Sequence, residues 1–298
     1  MKARFYFLSL VLLAACQPVE LDDDYPNTSG GKADTDSVFT LTLRATKAAD
    51  TKALDLVNGT RLNQYWKNTE KVKVFRAGTY VGTLNVQPAA GEKPTYATLS
   101  GSVEVQGLAE NDVLTLLIPR QEFDYTGQNG ALTGTGSIED SYDYGMATVT
   151  VNSIAGHTVT TTADARFQSQ QSIYRFDFKD GDVQLQTKAF TIVAANKKLV
   201  QRLHYQGSSW TPVYGTIHVE KADPSAISFV SLRNDSNADD NYSFFILDSF
   251  RKLYLATKQI PASVLDGQGK FLSAQNINAV ETCFPAITDS PGANPVIY

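Results

Sequence analysis

Val38-Phe39-Thr40-Leu41-Thr42-Leu43-Arg44 alternates without a break. Phe39, Leu41 and Leu43 fall on one side of an extended chain, and Thr40, Thr42 and Arg44 on the other. A period of two marks a half-buried β-strand. Similar runs follow at 72–75, 80–86, 103–105, 114–118, 147–151 and 158–162. Turn residues separate them, at Ala77-Gly78, Ala90-Gly91, 127–136 and Ala155-Gly156. A second series covers 173–178, 183–185, 190–193, 215–219, 227–232, 242–247 and 253–256. No stretch of ten or more residues carries a helical period. Short strands with Gly-rich turns predict an all-β chain of antiparallel sandwiches. The 15 Phe and 14 Tyr against 2 Met agree, because aromatic residues suit pleated, half-buried surfaces.

The ends of the chain read differently. Lys2 and Arg4 precede an apolar run from Phe5 to Leu13, which small residues and Cys16 close. The run is too short to span a bilayer and has the layout of a secretory signal over residues 1–15. A cysteine directly after the small-residue cleavage site resembles the bacterial lipobox, whose thiol is acylated. The mature chain is therefore expected to begin at a lipidated Cys16 and to hang from a membrane. Each buried methylene of such a lipid contributes roughly 0.8 kcal/mol. Residues 16–37 are polar and include Asp22-Asp23-Asp24 and Ser29-Gly30-Gly31, a composition expected of a disordered tether. The acidic triplet has two readings, a solvated linker or a surface-export signal like that of Bacteroidetes lipoproteins.

About 280 residues remain of the 298, enough for two domains with cores of their own. The strand series divide near the polar segment Gln168 to Ser172, which predicts domains at 38–167 and 168–298. A net charge of -5 without a basic stripe argues against nucleic acid as a partner. With Cys16 committed to lipid, Cys283 stands alone, so no internal disulfide is expected.

Chemistry is sparse. His157, His204 and His218 are distant from one another, and no nucleophile elbow, phosphate loop or zinc-protease motif occurs. No catalytic residue, metal or cofactor is therefore expected, and the chain reads as a non-enzyme. The segment 235–241 imitates the start of a calcium loop but has Asp240 where the glycine belongs and Ile246 at the twelfth position. A hairpin turn is the better reading. Trp66 and Trp210 would stack on a glycan if exposed, as would Tyr142 and Tyr144, although core packing is commoner for such residues.

Several stretches together resemble the fimbrillin family of Bacteroidetes pilus subunits and fimbrillin-like lipoproteins. They are the opening strand Phe39 to Arg44, then Tyr65 to Phe75 with Trp66 before a turn and a hydrophobic strand. Tyr142 to Val151 followed by Ile173 to Phe178, and Tyr242 to Phe244 with Leu253 to Lys258 and Leu265 to Phe271, complete the set. Asn68-Thr69-Glu70 departs from the family's commoner Gly-Asp turn. The resemblance implies two transthyretin-like antiparallel β-sandwich domains in tandem, outer-membrane export and a place in a surface fimbrium serving adhesion. It also implies that a trypsin-like protease removes the first strand, cutting after a basic residue. Arg44 stands in the matching place, with Lys47 and Lys52 nearby; an ordinary exposed strand residue is the equal alternative for Arg44. Loss of Phe39, Leu41 and Leu43 would open an apolar groove that another subunit's strand could fill. In the family that donor comes from the carboxyl end, where Pro285, Pro291 and Pro295 here interrupt the pattern. A tip or capping subunit therefore stays open. The runner-up is a surface lipoprotein that binds glycans or host proteins without polymerising, and a hydrolase using dispersed carboxylates comes last.

Overall fold

A computed structural model describes residues 37–47, 56–57, 61–62, 65–196, 198–233, 240–259, 272–278 and 280–281. In chain order the first half holds β1 (Val38–Lys47), β2 (Leu56–Val57), β3 (Arg61–Leu62), β4 (Lys71–Arg76), β5 (Thr79–Pro88), β6 (Tyr96–Glu104), β7 (Val113–Ile118), β8 (Glu122–Asp124), helix α1 (Ile138–Ser141), β9 (Gly145–Ala155), β10 (Thr158–Thr161) and β11 (Ala165–Ser169). The second half holds β12 (Gln171–Asp180), β13 (Val183–Gln184), β14 (Thr187–Ala194), β15 (Val200–Gln206), β16 (Ser209–Tyr214), β17 (Ile217–Ser225), β18 (Ile227–Arg233), β19 (Asn241–Asp248), β20 (Leu253–Gln259), β21 (Leu272–Asn278) and β22 (Val280–Glu281). The chain is all-β, as the alternation predicts.

The first sheet runs β10-β1-β11-β9-β7-β4-β5-β6, and the additional pairing of β1 with β6 closes it into a ring. β10 and β11 follow one another in a single position beside β1, so the ring has seven staves. Alternate residues of each stave point inward, and Leu41, Val72, Val74, Leu84, Leu99 and Leu114 are wholly buried there. Glycine lets two staves of the ring pack closely. A Cβ on Gly101 would lie 2.5 Å from the Thr83 carbonyl oxygen, so β5 and β6 approach more closely than a side chain permits.

In the second half, β12 pairs with β13, β18 and β21, and a five-stranded sheet runs β17-β14-β19-β20-β22. Phe176 and Phe178 of β12 meet Phe190 of β14 and Phe244 of β19 between these sheets; the Phe176 and Phe244 centroids lie 5.0 Å apart, edge to face. The sheets are not purely antiparallel, contrary to expectation: β1 runs parallel to β10 and β11, and β12 parallel to β21. Parallel neighbours need long crossovers rather than hairpins, so sequence-local turn signals could not reveal them.

Elements on either side of residue 167 interlock. β8 forms a small sheet with β15 and β16. Gln128 exchanges two hydrogen bonds with the Ser231 backbone, at 2.7 and 2.8 Å, and Phe229 N–H donates to the Gly130 carbonyl. The polar run that joins β11 to β12 is also packed away: Ser169, Gln170, Gln171 and Ser172 are buried. Gln171 Nε2 donates to the Tyr142 carbonyl at 2.9 Å.

Candidate functional site

β1 is held on both edges. Nine residues from Val38 to Thr46 pair antiparallel with β6, in the register Leu41↔Gly101 and Leu43↔Leu99. On the other edge Thr40 and Leu41 pair with β10, and Ala45 to Lys47 with β11. At its start, Thr40 N–H donates to the His157 carbonyl at 2.7 Å, and His157 Nδ1 lies 3.0 Å from the Val38 carbonyl oxygen. Phe39, Leu41, Leu43 and Ala45 are buried inside the ring while Thr40, Thr42 and Arg44 are exposed. Burying side chains of this size contributes roughly 1.5–3 kcal/mol each.

The second edge of β1 is interrupted. Register pairs on this side stop at Leu41 and resume at Ala45, leaving Thr42, Leu43 and Arg44 opposite the turn between β10 and β11. Arg44 projects from this gap with 58 % of its side chain exposed, 3.9 Å from Asp164, and its guanidinium lies 4.1 Å from the Tyr96 ring centroid. An exposed pair of this kind contributes little to stability.

Lys47, three residues on, is the opposite case. Its side chain is 2 % exposed. The ammonium donates to Glu70, to Asp143 at 3.3 Å and to the Tyr65 carbonyl at 3.3 Å, using all three protons. Trp66 covers it, with the ring centroid 4.8 Å from Nζ and Phe167 packed edge-on behind. Burial by itself would lower the lysine pKa, but Asp143 and Glu70 outweigh it and hold the pKa above the ordinary value. This ion pair therefore stabilises the fold below about pH 10.5 and is lost only as pH rises through the raised folded-state pKa. Lys47 is out of reach of a protease in the folded chain.

The candidate glycan-stacking aromatic residues divide. Trp66 is 1 % exposed and belongs to the core. Tyr142 and Tyr144 are buried as well; their hydroxyls donate to the Thr126 and Asp124 carbonyls, at 2.7 and 2.6 Å, and burial pushes the Tyr142 hydroxyl up to about 12. Trp210 is half-buried and lines an open cleft of about 890 Å³ with Tyr80, Arg76 and Val113. The hairpin tips Ala77-Gly78 and Gly207-Ser208 touch over this cleft; a Cβ on Gly78 would lie 2.1 Å from the Ser208 nitrogen. Among the described residues no group of three His, Cys, Asp or Glu side chains is placed to hold a metal. Cys16 and the rest of the tether up to residue 36, Lys52, Cys283 and residues 235–239 lie outside the described residues, while Ser37 is described and buried.

No family model matches the chain, and no curated protein matches it. Solved structures do. A candidate cell adhesion protein from Bacteroides uniformis aligns at 11% identity and TM-score 0.44, over 82% of this chain and 98% of its own. Another from Bacteroides ovatus aligns at 11% and 0.40, over 82% and 95%. A fimbrial assembly protein from Parabacteroides distasonis aligns at 9% and 0.39, over 83% and 100%. Likenesses this shallow leave the role of the chain to its own residues.

Proposed function

We propose that this chain is a fimbrial-type surface subunit, exported as a lipoprotein through Cys16 and joined to other subunits by strand replacement at β1. Its working parts are the tandem transthyretin-like domains 38–167 and 168–298. The observation that carries the reading is the position of β1, a complete stave of the first ring with Arg44 exposed at the one interruption of its ladder. A cut after Arg44 would free 38–44, taking Phe39, Leu41 and Leu43 out of the core and leaving the β6 edge unpaired. An apolar slot beside an open edge is a strong acceptor for another extended segment. Such an interface is head-to-tail and does not close on itself.

β21 bears on the place of the subunit within a fibre. It lies parallel to β12 in seven register pairs, with Ile277 buried, so residues 272–278 are engaged within their own chain. A capping place, which accepts a strand and gives none, fits this arrangement better than a stalk place. The alternative of a static glycan- or host-protein-binding lipoprotein rests on the cleft beside Trp210.

Limited digestion of the purified full chain with a trypsin-like protease, followed by amino-terminal sequencing and size-exclusion chromatography, tests the proposal. A new amino terminus at Ala45, with uptake of an added strand peptide or growth of oligomers, is expected. A chain that resists cutting near β1, or is cut there and neither binds strand nor oligomerises, would overturn it.

A further inference from the structure

Lys47, Glu70 and Asp143 form a buried amine between two carboxylates, on elements far apart in sequence. We propose that this triad is a self-modifying site, in which Lys47 Nζ and Asp143 Cγ join as an intramolecular amide with Glu70 as the proton carrier. The inference does not depend on the fimbrial reading.

The two carboxylates are not equivalent. Glu70 Oε2 accepts the Lys67 backbone N–H at 2.8 Å while Oε1 faces the amine. That backbone bond fixes the orientation of the Glu70 carboxyl and sets Oε1 against the amine, where it can relay a proton. Asp143 Oδ2, 3.3 Å from Nζ, is the acyl side. Proton transfer along that contact converts ammonium and carboxylate to a neutral amine and a neutral acid. The Nζ lone pair then forms a bond to Cγ. Glu70 takes a proton from nitrogen and returns it to the hydroxyl oxygen of Asp143, the C–O bond breaks, and one water leaves. Glu70 ends as the carboxylate it began as, and no oxidant or other reactant is needed.

Two features favour the amide. The groups are pre-placed, and well-oriented intramolecular partners react as though at about 10⁵–10⁸ M. Trp66 and Phe167 wall the amine off from solvent, which strengthens electrostatic effects and keeps water from reversing the step.

The link would tie β1 to the segment entering β9, across 96 residues of sequence. It would also change the outcome of maturation: after a cut following Arg44, residues 45–47 would stay seated.

Mass spectrometry of the purified full chain and of its tryptic peptides tests this. The expected mass is one water below that of the unlinked chain, with peptide 45–52 recovered joined to peptide 121–166. Glu70→Gln and Lys47→Arg should each restore the full mass while circular dichroism shows the fold retained. Asp143→Asn should link with loss of ammonia instead of water. An unlinked mass in the folded wild-type chain overturns the proposal, as does a missing water that maps elsewhere, such as Asp180-Gly181. Linkage to the same extent in Glu70→Gln would remove Glu70 from the chemistry.

Discussion

Lysine occupies two very different interiors in this molecule. Lys47 sits between carboxylates, whereas Lys221, also buried, is surrounded by neutral oxygens: the Ser225 and Ile227 carbonyls and the Ser225 and Ser228 hydroxyls. Without an anionic partner, burial pushes the Lys221 amine down to about 8. The folded state then binds fewer protons than the unfolded one between about pH 8 and 10.5, so stability contributed at this residue rises with pH across that window. A shift of this size corresponds to about 3 kcal/mol. Urea unfolding at steps from pH 7 to 10 should show the increment in the wild type and lose it in Lys221→Met. Neither lysine's role was legible beforehand. Lys47 reads in sequence as a spare cleavage site, because its partners lie 23 and 96 residues away and nothing local announces them. Arg44 reads correctly as an exposed strand position, since exposure follows from alternation alone.

Strands were the most legible elements. The alternation at 38–44 and the turn signals after it correspond to β1 and to the hairpins around it. β8, β11, β15 and β16 escape notice because they are short or carry mixed polarity, and their pairing partners are distant. The closure of the ring through β6 is likewise invisible without coordinates. It makes a specific demand on Leu41, which is wholly buried opposite Gly101. Leu41→Ala should lower the unfolding free energy by about 2–5 kcal/mol, the usual cost of a large-to-small change in a core. The same substitution should accelerate tryptic cleavage after Arg44, because a loosened stave offers its backbone more often. Thr42→Ala, on the exposed side, should leave the unfolding free energy within about 0.5 kcal/mol of wild type and the cleavage rate unchanged.

At the scale of the molecule, the polar run 168–172 has the composition of a linker, and the structure buries most of it. Composition reports the cost of exposure, not whether hydrogen-bond partners await in the fold; here the Ser169 hydroxyl and the Gln170 and Gln171 amide groups donate to backbone carbonyls, while Gln171 Oε1 is buried without a partner among the described residues. The halves are further joined by an aromatic stack in which Phe123 lies 4.6 Å from both Tyr144 and Trp210, with Tyr205 packed against Trp210 and Phe75. Trp210→Ala should reduce stability by about 2–3 kcal/mol, below the range for a wholly buried tryptophan. Calorimetry should then resolve two unfolding transitions, since the small sheet of β8, β15 and β16 would lose its side-chain packing.

The neighbours of β1 differ in orientation, one antiparallel and two parallel. If β1 were displaced as proposed, a strand laid in backwards would exchange those relations, so the vacated slot would favour a replacement in one direction. The partner that supplies the replacement would then be fixed in a single orientation relative to this subunit, and a cap seated this way would give the fibre beneath it a polarity.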